Sequence, residues 1–517
     1  MAVFCSVFSL NTVGAIDFLT VHQASRLGLV EAWQRQITLP AGASSIVDQK
    51  LYVHNNLVRE YIEVVRADDE ENVLLRIPTD RVDSSGNEIG KEEAERLARN
   101  EVRRFKRRGI EAKIASSQVP IIRLYTLADD GTVESRDAET GEVVWMVRVG
   151  ERRYKYLGMG VGDKYATVIN GGNVIELDAA NGETIASVPV ANMPIYGALQ
   201  VGDYSIFATI QNGIEAYSLS EPDRVPFRET VIGQALAIPT RAPQSNKLAW
   251  TTDREYFYCM EASGNPSLLF RLKTDGIVSG RVAAASGDRF YFGSEAGQIY
   301  GVRGTRSGEV MWSKPYGEPF YETPIIAGKQ VLIHSAFGNL LSLDMETGDS
   351  KWEHPATSVD KLIGMINGKV FASSLTGSLV VIDLETGQRI ATMAGLQPSR
   401  ILINTMTNRL YLIGRSGYVQ CLHAEGAVMP TFQEAYQTKS EEQEEAQKED
   451  EKKPEQNTPG LDAPGFGTPA DPFGGGGADP FGNPDDGGAA ADPFGGGGAD
   501  PFGGGGADPF GADPFGN

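Results

Sequence analysis

The sequence predicts an all-β fold, a β-propeller of about eight four-stranded blades, with an N-terminal helical insertion and a C-terminal tail rich in Gly, Pro, Asp and Phe. Two series of turn glycines, spaced about 40 residues apart and in register with each other, carry this prediction. The first series is Gly131, Gly172, Gly213, Gly297, Gly338, Gly377 and Gly417. The second, about ten residues later, is Gly141, Gly182, Gly264, Gly308, Gly348, Gly387 and Gly426. Four short strands per repeat fit one blade.

Strand–turn–strand hairpins fill each repeat. Residues 289–295 and 298–303 flank the turn at Ala296 and Gly297, and the same arrangement recurs at 330–344 and 369–383. The first glycine series misses one position between Gly213 and Gly297, where the turn at residues 253–255 takes its place. Apolar residues recur two positions after the first turn glycine, so we expect them to point into the layers between sheets.

A finer motif marks the second turn. Residues 135–145 read SRDAETGEVVW, and residues 342–352 read SLDMETGDSKW. The Asp side chain of such a turn can accept backbone N–H bonds, Gly can take the positive φ, and Trp can dock on a neighbouring blade. We therefore predict a structural blade-docking role for Asp137, Gly141, Trp145, Asp178, Gly182, Gly308, Trp312, Asp344, Gly348, Trp352, Asp383 and Gly387. Blades three and four, about residues 194–276, lack both the Asp and the Trp.

This motif resembles the tryptophan-docking repeat of the pyrroloquinoline-quinone (PQQ) dehydrogenases, A-x-D-x-x-T-G-x-x-x-W. It is also similar to the repeat of the related non-enzymatic propellers, the outer-membrane assembly lipoproteins of the BamB type. The resemblance covers about 300 residues. For a dehydrogenase it implies a quinone, a Ca²⁺ held by Glu, Asn and Asp, a catalytic Asp and, in one branch, adjacent cysteines. Cys5, Cys259 and Cys421 are not adjacent, and no position here matches a catalytic, cofactor-binding or metal-binding motif.

We predict four regions. Residues 1–120 form an N-terminal region with a candidate ring-closing strand at 29–36, a strand pair at 50–65 and an amphipathic helix at 90–109. Residues 121–432 form the propeller, 433–457 a charged linker and 458–517 a disordered tail. Seven to nine blades fit, because the last repeat lacks a clear fourth strand that 29–36 could supply. The helix ends in basic residues, which suit either a solvated surface matched to the helix dipole or an anionic contact.

The tail repeats Asp-Pro-Phe six times between glycine-rich spacers. A flexible chain with identical hydrophobic anchors is typical of a multivalent ligand, and it resembles the motifs that endocytic proteins present to clathrin adaptors. A solubilising tail expanded by repeat slippage is the alternative. The candidate anchors are Phe473, Phe481, Phe494, Phe502, Phe510 and Phe515.

Composition and the lack of targeting motifs limit the classes of function that the sequence supports. The net charge is −21, with the acidity concentrated in the linker and tail, which argues against a basic nucleic-acid-binding surface. We expect no spanning helix at residues 1–20, no clear signal peptide there and no small-molecule ligand. The compartment stays open, although the resemblance implies the cell envelope or periplasm. The leading hypothesis is a non-catalytic scaffold that binds proteins; the alternatives are a quinone-dependent dehydrogenase and a coat or adaptor component acting through its tail.

Overall fold

The computed structural model describes residues 17–69, 73–82, 86–393, 396, 398–427 and 430–432. It confirms the predicted all-β propeller: eight antiparallel sheets follow one another around a ring. The predicted linker 433–457 and tail 458–517, including the six Phe anchors, lie outside the described residues, as do residues 1–16. Neither helix in the described part of the chain combines the length and apolar character that crossing a membrane requires.

The elements are numbered in chain order. They are α1 (Val21–Arg26), β1 (Leu29–Gln36), β2 (Ile46–Arg66), β3 (Val73–Pro78), α2 (Gly90–Arg107), β4 (Ala112–Ala128), β5 (Thr132–Asp137), β6 (Val143–Arg148), β7 (Tyr156–Val161), β8 (Tyr165–Asn170), β9 (Asn173–Asp178), β10 (Thr184–Pro189), β11 (Leu199–Val201), β12 (Tyr204–Thr209), β13 (Gly213–Ser218), β14 (Phe227–Thr230), β15 (Thr240–Arg241), β16 (Lys247–Thr252), β17 (Tyr256–Glu261), β18 (Ser267–Lys273), β19 (Ala283–Ala285), β20 (Arg289–Gly293), β21 (Gln298–Arg303), β22 (Glu309–Pro315), β23 (Ile325–Ala327), β24 (Gln330–His334), β25 (Leu340–Asp344), β26 (Val359–Ile366), β27 (Lys369–Ser374), β28 (Leu379–Asp383), β29 (Arg389–Met393), β30 (Arg400–Leu402), β31 (Leu410–Ile413) and β32 (Tyr418–Ala424).

Each blade runs from an inner to an outer strand. Blade 1 consists of β2, β4, β5 and β6, and blades 2 to 5 take the next four strands each, from β7 to β22. Blade 6 has three regular strands, β23 to β25, and two isolated bridges place Ser350 and Ala356 beside β25 in the position of a fourth. Blade 7 is β26 to β29.

The N-terminal strand completes blade 8. Strand β1 pairs antiparallel with β32, with Leu29 opposite Ala424 and Trp33 opposite Cys421, so this sheet has the order β1-β32-β31-β30. The first and last parts of the described chain thus share one sheet, which removes an exposed sheet edge. Helix α1 begins at a capping box on Thr20 and contributes Ala24 to the core between blades 7 and 8.

Strand direction gives the ring two distinct faces. In every blade the connection between the second and third strands, and the connection to the next blade, emerge at one end, which we call the upper face. The connections between the first and second strands and between the third and fourth emerge at the other end, the lower face. Eight apolar clusters, one at each junction of neighbouring blades, form the core between these faces.

The region before residue 121 differs from the prediction. The expected strand pair at 50–65 is one strand, β2, which continues through Asn55 and Asn56 with a register shift between His54 and Val58. Asparagine is common in turns, but here a bulge absorbs the extra residues while the chain keeps its direction. The first half of β2 is the inner strand of blade 1, so the propeller includes residues well before 121.

The second half of β2 forms an insertion with β3, α2 and the first half of β4. The amphipathic helix predicted at 90–109 is α2, and it packs Ala94 and Ala98 against Ile62 and Val64. Because the insertion occupies the connection between the first two strands of blade 1, it leaves the ring at the lower face. Arg59 anchors it there by an ion pair to Asp137, with 2.9 Å between Nη2 and Oδ2.

Candidate functional site

The predicted Asp residues organise the turns before the outer strands. In four blades the Asp Oδ1 accepts hydrogen bonds from the backbone N–H groups two and three residues further on. The acceptors are Asp137, Asp178, Asp344 and Asp383, with N–O distances from 2.7 to 3.2 Å. The carboxylates therefore satisfy donors of their own turns, which is a structural role.

Each predicted Trp docks on the turn of the next blade. Trp145 Nε1 donates to Ala179 O at 3.0 Å, Trp312 Nε1 to Met345 O at 3.0 Å, and Trp352 Nε1 to Leu384 O at 2.9 Å. The indole rings lie over the turn glycines, so that a Cβ on Gly348 would sit 2.5 Å from Trp312 Cδ2. Gly348 has φ of +72°, so both its conformation and its contact favour glycine.

Two docking contacts were not assigned from the sequence. Trp33, on the ring-closing strand, donates from Nε1 to Ala138 O at 3.0 Å and covers Gly141 in the same way. Phe270 covers Gly308, so an aromatic ring without an N–H takes the place of Trp between blades 4 and 5. The position of Phe270 opposite Cys259, which matches Trp33 opposite Cys421, is the signal that could have revealed it.

An ion pair reinforces the junction of blades 8 and 1. Arg409 Nη2 lies 2.8 Å from Glu139 Oε2, and the Arg409 side chain is only 1% exposed. Burial raises the pKa of Glu139, and the guanidinium of Arg409 opposes this shift. Removing one member of such a buried ion pair is strongly destabilising, because the remaining charge stays buried without its partner.

The upper face carries a set of exposed apolar side chains. They come from the connections of most blades: Tyr154, Met193, Ile210, Ile232, Tyr321, Phe337 and Leu375. Phe337 is 65% exposed and Leu375 59% exposed. Among the described residues, the lower-face loops outside the insertion contribute Val225 to the exposed large apolar residues, whereas Ile403 lines the central channel and the cleft between blades 6, 7 and 8. Such one-sided exposure is typical of a surface that contacts another protein.

A polar cleft of about 770 Å³ opens on the upper face between blades 6, 7 and 8. Leu375 lies at its edge, and Glu322, His334, Asp360 and Arg400 contribute polar side chains. Burial lowers the pKa of His334, against the opposing influence of Glu322 and Asp360. The upper face thus combines exposed apolar residues with a recessed polar cleft.

The central channel has a volume of about 470 Å³ and is lined by the inner strands of most blades. Lys50, Arg241 and Arg281 are its cationic side chains, and Lys50 Nζ lies 3.4 Å from Asp48 Oδ2. Burial lowers the pKa of Lys50, and Asp48 opposes this shift. Cationic groups suit the carboxylates of a quinone cofactor, but the described residues that line the channel include no Asp or Glu side chain. The lining therefore does not supply the Glu and Asp ligands of a Ca²⁺-bound quinone.

These observations define a β-propeller of eight blades that is closed by its N-terminal strand. Residues 237–400 match the family model described as "PQQ_2: Outer membrane protein assembly factor BamB". The match spans blades 4 to 7 and reaches the first residue of blade 8.

Solved structures with similar folds include "The crystal structure of BamB from Moraxella catarrhalis", 17% identical, covering 59% of this chain and 92% of that chain, with a TM-score of 0.47. The computationally designed Ika8 protein is 13% identical, covering 58% of this chain and 93% of its own, with a TM-score of 0.47. Saccharomyces cerevisiae Sqt1 is 12% identical, covering 58% and 92%, with a TM-score of 0.44. A search of curated protein sequences finds no significant match.

The docking geometry predicts the effect of replacing a turn glycine. Gly348→Ala should lower the free energy of unfolding by about 3 kcal/mol, because it combines a positive φ with a clash against the Trp312 ring. Gly264→Ala is the matched control: Gly264 also has a positive φ, +62°, but a Cβ there meets nothing within 4 Å. It should cost about 1 kcal/mol. Urea denaturation measures both, and equal losses would contradict the docking role.

Proposed function

We propose that this protein is a non-catalytic scaffold that binds a protein partner through the upper face of its propeller. The exposed apolar side chains of that face are the observation that supports the proposal most strongly. Large apolar groups that remain exposed on one face of a folded ring lose contact with water when a partner covers them, and this burial favours association. The cleft beside Leu375 offers polar groups that can orient the partner.

The Asp-rich turns favour a scaffold over an enzyme. The carboxylates that could have been taken for catalytic groups are engaged with backbone N–H groups at the blade turns. The match of residues 237–400 to a model described as an outer membrane protein assembly factor supports a finer part of the proposal, a role in cell-envelope assembly.

Photo-crosslinking tests the upper face directly. A photoreactive phenylalanine analogue at position 337 should capture the partner in the source cells, since Phe337 is exposed on the upper face. The same analogue at position 185, where Ile185 is 50% exposed on an outer strand, is the control and should capture little. The double variant Phe337→Asp/Leu375→Asp should weaken the association at least about 10-fold, while Ile185→Asp should not. If both variants retain the same partners, the upper face is not the binding surface.

We further propose that the tail, residues 458–517, is a multivalent ligand whose anchors are its six Phe side chains. Changing all six Phe to Ala should reduce retention of partners by the immobilised tail about 10- to 100-fold, because avidity falls when every anchor is removed. The control changes the six alanines that precede each motif to Ser, which keeps length, charge and every Phe. Equal retention by both variants would favour a solubilising tail, and loss of function on deleting only the tail would favour the coat or adaptor role.

A further inference from the structure

One junction between blades differs from the other seven. The apolar cluster between blades 2 and 3 contains five buried residues, whereas those at the other junctions contain 10 to 14. Its core is Ile169, Val174, Ala198, Phe207 and Tyr217. No docking aromatic reaches across from blade 2, because its outer strand carries Ala186 where blade 1 carries Trp145.

In blade 2 the sizes of the two residues that face each other across the third and fourth strands are reversed. Where Trp is present on the outer strand, the residue opposite it on the adjacent strand is small: Ser135 opposite Trp145, Gly301 opposite Trp312 and Cys421 opposite Trp33. In blade 2 the residue opposite Ala186 is Glu176. The larger side chain of this pair is therefore a carboxylate on the third strand of the blade and not an indole on the fourth.

Glu176 belongs to a buried row of polar groups. In blade 2, Gly160, Thr167, Glu176 and Ala186 lie side by side on successive strands. A Cβ on Gly160 would lie 2.8 Å from Thr167 Oγ1 and 3.3 Å from Gln200 N, so this row faces blade 3.

Blade 3 presents polar groups to the same space. Gln200 and Ser205 are direct cross-strand partners, and Ser205 is in turn opposite Tyr217, which packs against blade 2. Gly162 lies close to the Gln200 side chain, since a Cβ there would be 2.7 Å from Gln200 Cδ. The glycines of β7 and the loop after it therefore allow blade 3 to approach closely.

Four oxygen atoms at this junction lack hydrogen-bond partners among the described residues. They are Thr167 Oγ1, Glu176 Oε1, Gln200 Oε1 and Ser205 Oγ. All four side chains belong to residues at most 3% exposed. Buried polar groups are almost always satisfied, so this concentration points to a bound species that supplies the missing interactions.

The chemistry of the four atoms defines what that species is. All are oxygens, one belongs to a carboxylate, and oxygen donors are preferred by hard cations such as Ca²⁺, Mg²⁺, Na⁺ and K⁺. We propose that the junction of blades 2 and 3 is a binding site for a hard metal cation, held by Glu176 with Thr167, Gln200 and Ser205.

The surrounding charges agree with this assignment. Burial raises the pKa of Glu176 to about 7, Asp203 raises it further and Lys164 opposes the shift. A buried carboxylate near a second carboxylate is stabilised by a cation at its open oxygen, and Lys164, which opposes the shift, is itself exposed. The cation thereby joins two blades that lack a docking Trp.

Thermal unfolding of the full chain tests the site. The protein is treated with chelator, exchanged into choline chloride and then compared in Ca²⁺, Mg²⁺, Na⁺ and K⁺ salts at matched ionic strength, so that screening stays constant. At least one cation should raise the Tm by about 3 °C or more when saturating. Glu176→Gln should abolish the rise, and Thr167→Val should reduce it without changing charge.

Glu183→Gln is the matched control, because Glu183 is exposed on a turn of the same blade and should leave the response intact. Terbium luminescence excited through tyrosine gives a second readout, with signal expected in the wild type and in Glu183→Gln and lost in Glu176→Gln. If no cation raises the Tm, or if Glu176→Gln responds as the wild type does, the site is not a cation site. A wild type indifferent to cations and a fully stable Glu176→Gln would assign Glu176 as a neutral, water-bonded acid.

Discussion

The contact on which most of the ring depends is an aromatic side chain of one blade lying over the turn glycine of the next, and it occurs at five of the eight described junctions. It combines three requirements in one place: an Asp that orders the turn, a Gly that leaves space and takes a positive φ, and an indole whose N–H satisfies a backbone carbonyl. Because each blade contacts only its neighbours, the ring is continuous only if the last blade also docks on the first. Trp33 provides that contact, so strand β1 links the last blade to the first.

Departures from the docking motif indicate where the molecule is specialised. Between blades 4 and 5, Phe270 preserves the packing and loses only the indole hydrogen bond. Between blades 2 and 3 the aromatic ring is absent and a buried carboxylate faces the neighbouring blade. The first change keeps the junction apolar, whereas the second makes it polar and leaves oxygen atoms in need of partners. Turn glycines without an aromatic cover also occur at Gly264 and Gly426, so the buried polar groups are what distinguish the junction of blades 2 and 3.

The sequence was sufficient for the features that repeat. Turn glycines and the Asp–Gly–Trp spacing predicted the blades, and the charge pattern and apolar spacing predicted helix α2. Features that occur only once were harder to predict from the sequence. The bulge in β2 resembled a turn because Asn55 and Asn56 favour turns, and only pairing with β4 keeps the strand extended. The upper-face residues, such as Phe337 and Leu375, are of the same apolar types that fill the core. Only the three-dimensional arrangement shows that they are exposed on one face of the ring.

Amide hydrogen exchange of strand β1 tests most directly whether the N-terminal strand closes the ring. In the wild type, the amides of residues 29–36 should exchange as slowly as those of β32, because the two strands form one sheet. In Trp33→Ala, exchange in β1 and β32 should accelerate while β16 and β17, on the far side of the ring, keep their protection. Rapid exchange of residues 29–36 in the wild type, at the rate of an exposed loop, would contradict closure by this strand.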